Sequence, residues 1–471
     1  MAVGSGALVT KLAEYVVDRP ADGFPDPVRD RARLAVVDTV GCMIGASTTR
    51  AAQRLLGMTA KRMSPGATTA FGLGAGVRAE DSALVNGTLG HMLEFDDGHR
   101  PSDNHLGAVV VPAALTMAEE LGSTLDECVD AIIVGYDAMG RVGEATLLPR
   151  RLTPFHGTGT TGVFGAAAVA ARLMHLDIDQ TAHALAIAGT AAAGLRESTN
   201  TGPDCKPLHV GRATQAGIGS AFLAAEGYEG PLTIFEGKHG FCTAMSAEPR
   251  PELIVDGLGQ RFALLESGIK VHSTCGMVFN ILDAVLQARG AGELGPDTTT
   301  PIRVGVPEWL TREEAFGRRR PKTGGQARFS IPYTVAAALV DGHVGPAQMR
   351  EEQLSRPEVL DLEDMVQIFV DDEAEDIFQR TRSDPFFFYP AALEYDHGGA
   401  PQRRLHVNPR GYDTQQGLTT GEVTDKFVAT VDTVVSPAPA RRFAADLLAW
   451  DGGAPVAAIT AELVSLTGWK Q

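Results

Sequence analysis

The sequence predicts a mainly α fold, with a large all-helical domain built from both chain ends and a smaller α+β domain inserted between them. Three observations point there. Apolar residues recur at helical spacing through residues 1–265. Helical spacing returns in the tail, 405–471, while 266–404 mixes short strand-like runs with helices. The chain has 471 residues, and a single core stops growing beyond roughly 250–300.

The elements follow in order. Residues 27–44 place Val28, Ala32, Ala35, Val37 and Val40 near helical spacing. Residues 81–95 continue the pattern, and a loop rich in Asp, His and Pro spans 96–104. Helices are expected at 109–121 and 125–143, then a break at Pro149 and Pro154, then an Ala-rich helix over 162–175. Another is expected at 178–195, with Asp179 as the anion of its first turn. Gly, Ser, Thr, Asn and Pro dominate 196–207, which reads as a long irregular loop. Helix resumes at 213–226, and 230–241 is a Gly-rich loop. Strands are expected at 302–306 and 365–370, with helices at 280–287, 333–339, 424–431 and 440–448.

Apolar residues make up 44% and charged residues 21%, which excludes a disordered or collagen-like chain. Aromatic residues are only 6% against 53 glycines, so small residues are expected to let helices approach closely. The formal charge is −17, which repels a nucleic-acid backbone. The densest basic run, Arg318-Arg319-Arg320, reads as a solvated loop. No apolar run approaches the roughly 18 residues of a membrane span. The richest, 106–117, contains Pro112. Met1 to Thr10 carries no basic residue ahead of its apolar stretch, so no secretion signal is expected. The 5 cysteines lack paired spacing, which fits reduced thiols in a cytoplasm and offers no metal or cluster motif.

Gly157, Gly159 and Gly162 spell a dinucleotide fingerprint, but the segment before it, 150–156, is charged and broken by Pro154. The fingerprint needs a buried strand there, so no nucleotide is expected. The densest polar cluster is Glu94 through His105, held between two apolar segments. Carboxylates beside imidazoles can exchange protons near neutral pH; the plainer reading is a solvated loop with caps at Asp96 and Asn104. Its spacing matches no standard metal-ligand set. His156 stands before Gly-Thr-Gly, as a catalytic group or as a capping histidine. Lys206 and His209 lie in the irregular loop, with Arg212 following. The apolar neighbours of Lys206 favour partial burial and a role with an anion. Cys275, in Ser273-Thr274-Cys275-Gly276, could help to present backbone N–H groups to a carboxylate or be a small buried residue.

Taken together these segments resemble the MmgE/PrpD family. The matching stretches are Asn86-Gly87 with 91–97, 101–105, Phe155-His156 before 162–167, 206–213, 230–237, Lys270 with 273–276, 329–333 and 408–411. They run in the family's order along nearly the whole chain. The family includes 2-methylcitrate dehydratase, cis-aconitate decarboxylase and iminodisuccinate epimerase. The resemblance implies an α+β lid inserted into the helical domain, an active site at their junction, a homodimer and no required cofactor or metal. It also implies catalytic groups at Glu94, Asp96, His105, His156 and Lys206. Asp97, His99, Arg100, His209, Arg212, Lys270 and Cys275 are then expected to bind substrate, and either His99 or His105 could be the catalytic loop histidine. The decarboxylase branch has threonine where Gly98 stands and histidine near Cys275, and this chain has neither. The expectation is therefore a cytoplasmic dehydratase of a small hydroxylated di- or tricarboxylate, with no nucleic-acid or membrane partner. Epimerisation is the alternative, then decarboxylation. A binding protein with a retired site is the rival from another class.

Overall fold

The computed structural model describes residues 7–18, 23–147, 154–202, 204–382, 384, 386–412 and 417–469. It is predominantly helical, with only small sheets. Two compact units divide the chain. One comprises Met1–Arg196, Cys205–Ile269 and Leu418–Gln471, the other Glu197–Asp204 and Lys270–Gly417.

The first unit is built from helices that are apolar nearly all round, the pattern of buried helices. In the Gly157–Leu173 helix every residue from Thr158 onward is buried. Capping boxes at Thr124/Glu127 and Asp177/Gln180 start the Leu125–Ala145 and Ile178–Thr190 helices by satisfying backbone N–H groups. Glycine sets the close contacts. A Cβ on Gly165 would lie 3.2 Å from the Gly135 carbonyl oxygen. A Cβ on Gly87 would lie 3.0 Å from the Gly211 Cα. The Ala79–Met92 and Cys205–Ala225 helices therefore touch backbone to backbone. The tail joins this unit: Gly41 and Gly45 of the Asp26–Ala46 helix face Phe427 and Thr430 of the Thr420–Thr430 helix.

The second unit carries a four-stranded sheet in the order 366–370, 302–306, 391–397, 400–406. The first pair is parallel, in register Ile302↔Val366, and the rest are antiparallel. Gly398 and Gly399, at φ 62° and 80°, close the last hairpin. Two positive φ values in a two-residue loop match the twist of the strands.

Several boundaries differ from the sequence expectation. The segment 196–207 is not irregular throughout: Glu197–Thr201 is helical, and the next helix begins at Cys205, well ahead of 213. Lys206 thus lies in a first helical turn, not a loop. The helix expected to reach 195 stops at Thr190. Strands at Pro65–Ala70 and Ala75–Val77 interrupt a stretch expected to be helical. The break at Pro149 and the segment 150–153 lie outside the described residues. The glycines of the fingerprint are inside the Gly157–Leu173 helix, and a Cβ on Gly159 would meet His209 Cβ at 3.0 Å. They admit a neighbouring chain segment.

Candidate active site

The first unit gathers its chemistry around the end of the Ala79–Met92 helix. His91 sits in its last turn and is fully buried. The chain then turns sharply at Glu94, which has φ +50°. A non-glycine residue enters this region at a cost of about 1 kcal/mol, and such strain gathers at functional sites. The turn sends the Glu94 and Asp96 carboxylates back toward His91. After it, Gly98–His99 pairs with Ser267–Gly268. Asn104 bonds backbone to backbone with His99, and His105 leads into the Gly107–Leu121 helix.

Four imidazoles stand in a row. Ring centroids are 4.6 Å apart for His105 and His91, 5.7 Å for His91 and His156, and 5.5 Å for His156 and His209. His156 is the N-cap of its helix, its N–H bonded to the Gly194 carbonyl at 2.9 Å. Lys206 crosses to this row because the two helices touch at glycine. Its Nζ lies 2.7 Å from His91 Nε2 and donates to Glu94 Oε2 at 2.5 Å.

The neighbours assign the protons. His91 Nδ1 lies 2.9 Å from an Asp96 oxygen. Burial alone would push Asp96 up, but His91 and His105 hold it well below the usual carboxylate range. Asp96 is then an ionised acceptor, so His91 carries its proton on Nδ1 and accepts from Lys206 at Nε2. Burial lowers His91 to about 4, against the pull of Asp96, so the ring is neutral at physiological pH. His105 Nδ1 lies 2.7 Å from the Asp97 carbonyl and 3.3 Å from Asp96. A carbonyl only accepts, so His105 Nδ1 is a donor, and its other ring nitrogen, Nε2, faces Glu94 Oε1 at 3.6 Å. Burial, then Lys206, also pushes His156 and His209 down. The result is a lysine, two buried carboxylates and four imidazoles in one cluster, with His91, His156 and His209 pushed toward the neutral form. Nitrogens of His91 and His105 and the Asp96 carboxylate lie within 4.8 Å of one another, near enough to share a cation. Both Nδ1 atoms already hold protons on oxygen acceptors, and the Lys206 ammonium supplies a positive charge beside them.

The other expected residues sit differently. Asp97 lies behind the row, accepting from Gly107 N–H and the Tyr136 hydroxyl at 2.9 Å each, and burial raises it to about 6. His99 contacts Ser102 at 2.8 Å and Glu266 at 3.2 Å, so both ring nitrogens serve the fold and His105 is the loop histidine in the cluster. Arg100 reaches Asp103 at 3.5 Å, and Arg212 is exposed on its helix. Lys270 and Cys275 belong to the second unit. There Lys270 Nζ donates to the Thr274 carbonyl at 3.2 Å, and Cys275 N–H to the Arg328 carbonyl at 3.0 Å. His91 was not among the expected catalytic residues. Its signal was its place three residues before Glu94, at the end of the helix that leads into the acidic turn.

The MmgE/PrpD N-terminal domain matches residues 10–254 and the C-terminal domain residues 272–451. The chain belongs to the MmgE/PrpD family. It is 28% identical to a cis-aconitate decarboxylase of Aspergillus terreus over 378 residues, 75% of this chain and 76% of that protein. It is 28% identical to human cis-aconitate decarboxylase over 305 residues, 61% of this chain and 60% of that one. A cis-aconitate decarboxylase-like protein of Aspergillus oryzae, oryM, is 24% identical across 97% of both chains. Among the described residues no helix is long and apolar enough to cross a membrane.

Proposed function

We propose that the protein is a cofactor-independent lyase that transfers a proton at the carbon next to a carboxylate, dehydrating a small hydroxylated di- or tricarboxylate. The observation that carries this is Lys206, bonded at once to His91 and Glu94, with His105 Nε2 3.6 Å from the other oxygen of that carboxylate. Removing such a proton builds enolate-like charge on the substrate carboxylate. A fixed ammonium in a site closed from water stabilises that charge as it develops. His105 Nε2 takes the proton. His156 protonates the departing hydroxyl, so that C–H and C–O bonds break and water leaves. A polyanionic substrate raises the proton affinity of nearby imidazoles, so binding itself supplies the acid. The same reading has the chain working as a cytoplasmic homodimer.

A second reading, decarboxylation of a cis-aconitate-like acid, is favoured by the names of the relatives. Gly98 and Cys275 weigh against it, since the decarboxylase branch carries threonine and histidine there. Incubation with a panel of hydroxylated di- and tricarboxylates and with cis-aconitate separates the two by mass spectrometry. The expected result is an unsaturated acid lighter by one water. Carbon dioxide released from cis-aconitate faster than any hydroxy acid is dehydrated replaces the first reading with the second.

A further inference from the structure

Lys426, on the Thr420–Thr430 helix of the tail, reaches the back of the acidic turn. Its Nζ donates to the Phe95 carbonyl at 2.6 Å, stands 2.5 Å from Asp38 Oδ1 and lies 4.1 Å from the Phe95 ring centroid. The Lys426 and Asp38 side chains are 7% and 1% exposed. Phe95 is the one residue between Glu94, held at positive φ, and Asp96. Its carbonyl orients the peptide that carries Asp96, so the two carboxylates of the cluster are aimed from behind by a cation that touches neither. Asp38, on the Asp26–Ala46 helix, keeps that cation in place, and Arg31 also acts on Asp38.

We infer that Lys426, anchored by Asp38, is a positioning residue that holds the Glu94-Phe95-Asp96 turn in its working geometry. This rests on the proton-transfer reading above. The alternative is a staple that only ties the tail to the core. In Asp38→Leu/Lys426→Met both charges go together, so neither is left buried and unpaired, and a buried ion pair replaced this way often costs little stability. The variant is expected to fold, to lose about 100-fold in kcat, the scale of a small misplacement of reacting groups, and to keep KM within about threefold. In full-length protein labelled with ¹⁵N-histidine, the His91 and His105 ring signals are expected to shift while those of His183 and His272 stay. Lys426→Arg, which keeps charge and donor, is expected to hold the signals and most of kcat. If the apolar pair does not fold, Asp38→Asn/Lys426→Gln gives the same comparison. Unmoved His91 and His105 signals in a folded variant overturn the inference. If the wild type turns over no acid, the proton-transfer reading fails, and the histidine spectra still decide the role of Lys426.

Discussion

Lys206→Ala is expected to reduce kcat by roughly 1,000-fold, the worth of a preorganised group aimed at developing charge. The residue is in a helical first turn and buried, so it contributes to the fold as well. Its loss leaves Glu94 without its cation, and breaking a buried pair on one side costs about 3 kcal/mol. Turnover must therefore be measured per folded molecule. Glu94→Gln/Lys206→Met removes the stranded charge and is expected to recover stability without recovering activity. Near wild-type turnover by folded Lys206→Ala protein contradicts the role in charge stabilisation.

His105→Ala and His156→Ala are each expected to slow the reaction by roughly 100- to 10,000-fold, the usual contribution of a general acid or base. Neither ring packs in the core as His91 does, so melting should change little. His99→Ala is the contrast. Its ring joins Ser102 to Glu266, so its removal should lower the melting temperature and spare turnover per folded molecule. If His99→Ala is the variant that loses kcat while His105→Ala keeps it, the loop histidine has been assigned wrongly.

Glu94, Asp96 and His105 stand in the densest polar segment of the chain. Residue types alone leave that segment open between a proton-transfer loop and a solvated, capping one, and it is the family resemblance that implies a catalytic role. Lys206 was legible as a residue but misplaced. Its Gly/Ser/Asn/Pro surroundings suggested a loop, yet Pro207 falls in the first turn of a helix, where a missing N–H costs nothing. That proline was a start signal. The Gly398-Gly399 hairpin was also present in the sequence, and reading 266–404 for helices and isolated strands passed over it. Other parts were not readable locally. The contact of Gly87 with Gly211, which brings Lys206 to His91, joins two helices far apart in the chain. The approach of Lys426 to Phe95 spans 331 positions. Periodicity reports which face of an element is buried, not which other element covers it.

The most direct measurement is solvent exchange at the carbon beside the carboxylate. Wild-type protein in heavy water, given the acid it turns over best, is expected to place one deuterium at that carbon during the reverse reaction. His105→Ala should abolish this exchange, whereas His99→Ala should leave it intact per folded molecule. Turnover with no solvent deuterium at that carbon, or exchange that persists in folded His105→Ala protein, would contradict a proton transfer run from this cluster.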